Sequence, residues 1–382
     1  MKYLLFSNLY FAEGIQNGIV VIIIPFYFLD KGISIEITTL VAGISLVPWI
    51  IKFLWSGIID RLSFIGKKIF ILIGGIFGSI CFFTLFFIDP SISLIPFAIL
   101  FFLSHVFISF FDSAADIWAI NISRENERGK IFGSMQAGMF IGLGFTAIVF
   151  TNIAKLYGYP IIFVFAGFII LIMMVFPLFI KEDKEIIKKI KVTQLLFAEF
   201  KNKIIQQISI YASIITISSG LLTVGIPIYL RNVLNLDVTQ VGILAVIVPL
   251  AIVPGNIIGG IMADKIGRKK SIFIFVGINI ILSILLIFSY NWWLLVIIYG
   301  SVLFMGGGLA SAQGAMLMDL TNPKVGATQF SLFSGFLGIG DVGGRMIAGL
   351  LIVLLGFNNL FILSGLILIL PLLLLRKIRY NK

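Results

Sequence analysis

Apolar residues run along this chain in stretches long enough to cross a bilayer, broken by short clusters of charge, proline, asparagine and glycine. A span needs about 20 apolar residues, and the chain offers such stretches at 4–28, 37–59, 69–88, 92–122, 131–154, 160–180, 204–230, 238–262, 271–289, 292–318, 326–355 and 357–375. We number these spans 1 to 12. Connectors such as Asp89-Pro90-Ser91 and Gly356-Phe357-Asn358-Asn359 are so short that neighbouring helices must run antiparallel. The pattern predicts an all-α integral membrane protein of twelve transmembrane helices.

Composition agrees with that pattern. The 382 residues are 60% hydrophobic and 12% charged, against roughly 25% charged in soluble domains. A single soluble core stops growing at roughly 250–300 residues, so lipid is the solvent that suits these side chains. Span 1 carries Glu13, Gln16 and Asn17 in its middle and is expected to stay in the protein rather than act as a cleavable leader. One cysteine, Cys81, and one histidine, His105, leave neither a disulfide framework nor a thiol or histidine metal site. No cofactor is expected.

The net charge of +11 would suggest nucleic acid in a soluble chain, but its placement points to a membrane. If Lys2, the loops after spans 2, 4, 6, 8 and 10, and the C-terminal tail share one side, that side holds 23 of the 28 Lys and Arg. The opposite side holds Lys31, Lys155 and Arg231, and Lys52 and Arg345 lie within spans. This positive-inside asymmetry predicts a multi-pass plasma-membrane protein with both termini cytoplasmic. Residues 181–203 form the longest connector, with Ile186, Ile190, Leu196, Phe197 and Phe200 near helical spacing among lysines. They read as an amphipathic linker on the anionic inner leaflet, between six-helix bundles at 1–180 and 204–382.

The two bundles repeat each other. Ile24-Pro25-Phe26-Tyr27 closes span 1 and Ile226-Pro227-Ile228-Tyr229 closes span 7. Gly57, Asp60, Arg61 and Gly66 after span 2 return as Gly260, Asp264, Lys265 and Gly267 after span 8, where Arg268 follows. Gly129, Ser134 and Gly138 in span 5 return as Gly326, Ser331 and Gly335 in span 11. Two parallel six-helix halves are the architecture of the major facilitator superfamily. The loop Gly260-x-x-x-Asp264-x-x-Gly267-Arg268-Lys269-Lys270 resembles that superfamily's signature. The resemblance implies a gate in which small residues allow close helix approach and Asp60, Arg61, Asp264 and Arg268 form a breakable latch. The alternative, that these are anchors of the basic side, accounts for the lysines but not for the repeated Gly and Asp.

Within the superfamily, Tyr10-Phe11-Ala12-Glu13-Gly14, Lys52-Phe53-Leu54-Trp55, Asp116-Ile117 running to Glu127-Arg128-Gly129, and Met318-Asp319-Leu320-Thr321-Asn322-Pro323 resemble the group of AmpG-type muropeptide permeases and acetyl-coenzyme A transporters. Gln16 stands where that group has proline, and Ile120 where it has a second acid.

Charges at bilayer depth cost roughly 2.5–3.5 kcal/mol each and need a partner or a role. Glu13 and Lys52 share a depth near the midplane, about 12–15 Å along their helices, so a Glu13–Lys52 pair is expected, either static or exchanging with a proton. Gln16 and Asn17 add donors and acceptors there. Asp112 and Asp116 are spaced i,i+4; Asp112 reads as a proton site and Asp116 as an interfacial partner of Arg124 or Arg128. Asp341 and Arg345 are also i,i+4 and can neutralise each other, while the Arg345 fork suits an anionic substrate group. His105 reads as a helix contact. The expected function is a secondary transporter of a polar, anionic organic solute, coupled to protons and monomeric, with no enzymatic, nucleic-acid or metal-binding role. A non-transporting receptor on the same scaffold is the alternative. A membrane enzyme would need a constellation such as His-Glu-x-x-His, which the sequence lacks.

Overall fold

The computed structural model describes residues 2–122, 128–180, 182, 201–320 and 326–378. Most of the predicted linker, including Ile186, Ile190, Leu196, Phe197 and Phe200, lies outside the described residues, as does the connector 321–325. Among the described residues, ten helices are long and apolar enough to cross a membrane. The segment Leu332–Lys377 joins spans 11 and 12, with Gly356 at φ 80° marking the corner between them. Span 2 is counted apart because it is broken into Ile35–Ile44, Val47–Ile50 and Lys52–Arg61. Pro48 has no N–H, and its ring collides with the carbonyl four residues earlier. That carbonyl belongs to Ile44, where the first segment ends. Twelve crossings result, as the hydropathy pattern predicts.

Contacts divide the chain into two compact units. The first comprises Met1–Ser34, Ile44–Lys189 and Leu236–Ala245, and the second Ile35–Gly43, Ile190–Asn235 and Val246–Lys382. The first unit takes in the start of span 8, and the second the start of span 2. In the first unit, a Cβ on Gly242 would press on the Ala147 carbonyl, and Asp237 pairs with Lys155 at 2.8 Å. In the second, the Gly349 N–H donates to Thr39 Oγ1 at 3.1 Å and Gly43 packs on Met346.

Each unit is built around one tightly packed helix pair. In the first, Gly14 of span 1 faces the Met139 carbonyl of span 5, Gly138 faces Ser7, and Gly142 faces Phe11. In the second, Gly220 of span 7 faces the Asp341 carbonyl of span 11, Gly340 faces Ser213, and Gly344 faces Ile217. Backbone touches backbone at all six positions, so a side chain has no room. Small residues are the usual device where apolar surface alone gives helices no preference for each other over lipid. This packing fixes the register between the halves, and it corrects the sequence match. Gly138 corresponds to Gly340, not Gly335, because the shared carbonyl contact defines the position.

The same register exposes an asymmetry. Pro25 follows Gly14 by 11 positions and Pro227 follows Gly220 by 7; Gly158 follows Gly142 by 16 and Gly356 follows Gly344 by 12. Spans 1 and 5 therefore each carry four additional residues beyond the glycine crossing. Those segments contain the π-helical turns Ile19–Ile23 and Thr146–Phe150. The two turns adjoin: a Cβ on Gly18 would meet the Thr146 side chain, and Thr146 Oγ1 donates to the Ile15 carbonyl at 3.3 Å. A π turn absorbs extra residues without breaking the helix.

Candidate functional site

In the first unit, Tyr10 and Glu13 from span 1, Lys52 from span 2, and Asp112 and Asp116 from span 4 converge. Lys52 begins the helix Lys52–Arg61, directly after a break at Ile51. Its ammonium donates to Asp112 Oδ2 and to Asp116 Oδ2 at 2.6 Å, and it lies 5.6 Å from the Trp49 ring centre. The Tyr10 hydroxyl donates to the other Asp116 oxygen. Trp55 Nε1 donates to Ser109 Oγ at 3.1 Å, one turn before Asp112.

This arrangement differs from the expectation in two ways. Lys52 is gripped by two aspartates of span 4, while Glu13, one turn along span 1 from Tyr10, has a buried Oε2 without a partner, as does Asp112 at Oδ1. Asp116, expected to pair at the interface, belongs to the cluster. Spacing of i,i+4 places both aspartates on one helix face, and the helix break brings Lys52 to that face. Tyr10 was missed altogether, although it precedes Glu13 by three positions and so shares its face.

Charge balance gives the cluster its chemistry. Three carboxylates surround one ammonium, and Asp112 is only 1% exposed. Glu13 and Asp112 each keep one buried oxygen without a donor, and two such groups can bond each other only if one carries a proton, because an ionised carboxylate cannot donate. Beyond Glu13, Gln16 is 1% exposed and both polar atoms of its amide lack a partner, whereas Asn17 is half-buried. His105 stands apart: its Nδ1 bonds the Phe101 carbonyl at 2.8 Å and its ring packs edge-on against Phe101.

The second unit presents a different set. Asp341 Oδ2 accepts from Arg345 Nε at 2.8 Å, and the Ser219 hydroxyl lies 3.3 Å from Asp341 Oδ1. Arg345 Nη1 is buried without an acceptor, and such an unmet charged donor costs about 1–3 kcal/mol or more. In the packing register Ser219 occupies the Glu13 position and Asp341 the Met139 position. Between spans 8 and 10 the Asn256 and Ser311 side chains meet at 3.3 Å. The second half thus has a serine in the Glu13 position and carries an ion pair of its own on span 11.

At the basic end, Arg268 bonds Asp264 Oδ1 and reaches Asp319 Oδ2 at 3.5 Å, tying spans 8, 9 and 10 together. Asp60 and Arg61 lie on the helix Lys52–Arg61, but their side chains are outside the described residues. Gly66 and Gly267 adopt φ of 103° and 92°, which L-residues avoid. At Gly66 the turn also receives Glu182, whose carboxylate accepts from the backbone N–H groups of Lys67 and, at 3.2 Å, Lys68. Close approach at Gly57 and Gly260 was expected, yet no described atom lies within 4 Å of a Cβ built at either. In span 8 the close contacts fall at Gly255 and Gly259, against Phe304 and Gly308.

Comparison with known proteins agrees with this architecture. The family model of the Major Facilitator Superfamily matches residues 6–207 and again 208–381. The chain belongs to the major facilitator superfamily, and it is a membrane transporter, not an enzyme. It is 27% identical over 385 residues to a protein of Rickettsia bellii named transporter AmpG 1, covering 92% of each chain. It is 25% identical over 313 residues to an uncharacterized MFS-type transporter of Methanocaldococcus jannaschii, covering 78% of each. Its fold matches a bacterial homologue of the human lysosomal transporter Spinster in an inward-facing, unoccupied conformation, with TM-score 0.81, 13% identity and coverage of 100% and 98%. It also matches the nucleoside transporter NupG, with TM-score 0.80, 12% identity and full coverage of both chains.

Proposed function

We propose that the chain is a proton-coupled symporter that moves a polar, anionic organic solute across the plasma membrane by alternating access. The single observation that carries proton coupling is the presence of two buried carboxyl oxygens left without a donor, Glu13 Oε2 and Asp112 Oδ1, beside the Lys52 bond to Asp112 Oδ2. Glu13 is the carboxyl whose proton comes and goes: its Oε2 has no partner, and although Asp112 Oδ1 has none either, Asp112 Oδ2 and both Asp116 oxygens are held by Lys52 and Tyr10. Gln16 and Asn17 extend this polar region towards the solute. Arg345 is the group that meets the solute's negative charge, because its Nη1 awaits an acceptor. Arg268 with Asp264, and by the repeat Asp60 with Arg61, latch the basic end, which the lysine distribution assigns to the cytoplasm together with both termini. The unit that works is the monomer, whose two bundles and joining linker 181–203 are all that alternating access requires.

The test is flux into proteoliposomes with an imposed pH gradient, using solutes that stabilise the purified protein. Wild-type uptake should follow the gradient and collapse with a protonophore. Uptake that ignores the gradient would reject proton coupling.

A further inference from the structure

We propose that Asp341 selects the charge of the solute group that binds Arg345, admitting a single carboxylate and rejecting a dianion such as a phosphate ester. This rests on Arg345 being the anion site, as argued above. Arg345 has five donors in a planar fork. Asp341 occupies the Nε edge at 2.8 Å, which leaves the terminal nitrogens, including the unpartnered Nη1, to a guest oxyanion.

The helix that carries Asp341 is held tightly at this point. Its backbone carbonyl and the Arg345 backbone N lie against Gly220 of span 7, where even a Cβ would not fit. The Ser219 hydroxyl, donating to the Thr216 carbonyl at 2.7 Å, stands 3.3 Å from the second Asp341 oxygen. An arriving anion therefore meets a guanidinium whose charge is already matched. A carboxylate leaves one surplus negative charge, and a dianion leaves two beside Asp341. At about 6 Å and an effective dielectric near 20, Asp341 takes back on the order of a hundredfold of what each guest charge gains from the guanidinium, and each charge also loses its hydration. The two ligand classes also differ in shape, but both fit a guanidinium fork in two places, so shape does not discriminate them here. Charge does.

The experiment uses the full-length protein in detergent at pH 7.5 and constant ionic strength, with benzoate and phenyl phosphate as probes carrying the same ring. The readout is the thermal unfolding midpoint against probe concentration. Benzoate should stabilise the wild type at concentrations at least tenfold below those phenyl phosphate needs. Arg345→Lys, which keeps the charge but loses the fork, should weaken benzoate at least tenfold. Asp341→Asn, which keeps the shape, should remove most of the tenfold preference. If phenyl phosphate stabilises the wild type as well as benzoate does, and Arg345→Lys weakens both, the anion site stands and charge selection by Asp341 is overturned. An unchanged preference in Asp341→Asn overturns it equally. If neither probe acts through Arg345, the anion site itself fails, and the inference falls with it.

Discussion

The Lys52 ammonium lies 2.6 Å from Asp116 Oδ2 and also bonds Asp112, so one cation from the broken span 2 holds two turns of span 4. Lys52 is 27% exposed and Asp112 1%, and the two ends of this bond respond differently to loss of the partner.

Lys52→Ala should be severe for stability. It leaves the buried Asp112 without its cation, and removal of one partner from a buried pair costs about 3–5 kcal/mol; the partial exposure of Lys52 places the effect at about 3. Adding Asp112→Asn should restore most of that loss. Thermal unfolding of the single and double variants checks this, and a double variant no more stable than Lys52→Ala would refute the pairing.

Glu13→Gln should spare the fold and abolish coupling. The amide fills the same volume and can still donate to Asp112, as a protonated carboxyl does, but cannot release a proton. Counterflow of solute without a gradient should persist, while gradient-driven accumulation falls to the level of equilibration. Loss of counterflow together with accumulation would mean that Glu13 binds the solute instead.

Gly66→Ala should destabilise the protein by about 1–3 kcal/mol. It combines a backbone strain cost with a Cβ only 2.8 Å from Glu182 Oε2. Gly260→Ala meets no described atom within 4 Å and should change the unfolding midpoint little. Equal effects at the two signature glycines would contradict this distinction.

Gly142→Ala should weaken the first unit by about 1–3 kcal/mol through overpacking, since its Cβ would press on the Phe11 carbonyl. Gly144, with no described atom within 4 Å, is the control. Similar melting of both variants would argue against the close crossing of spans 1 and 5.

Acid should remove a small stabilising term at the end of the protein opposite the lysine-rich side. Asp89 is held at about 2 by hydrogen bonds from Lys31 first and Ser91 next. A depressed carboxylate stabilises the fold above its unfolded value and loses that contribution as pH falls through the folded one, here between about pH 4 and pH 2. Lys31 and Asp89 are about one-third exposed, so screening limits the term to under about 1 kcal/mol. The Asp89→Asn variant should show a correspondingly flatter acid limb in unfolding experiments.

The sequence by itself determined the class of this protein. Twelve apolar stretches, lysines concentrated at alternate connectors and three recurring motifs specify a two-bundle transporter, because lipid forces helices and leaves local composition to mark their ends. The turn glycines Gly66 and Gly267 were legible for the same local reason. Only the tertiary structure decided which charges meet. Glu13 and Lys52 share a depth, yet depth says nothing of azimuth, and the break at Ile51 turned Lys52 to Asp112 and Asp116. The internal register was likewise settled by carbonyl contacts at Gly14, Gly142, Gly220 and Gly344, where spacing alone had favoured Gly335 over Gly340. Contacts between distant helices depend on rotation and kinks, and these are properties of the packed bundle, not of any one span.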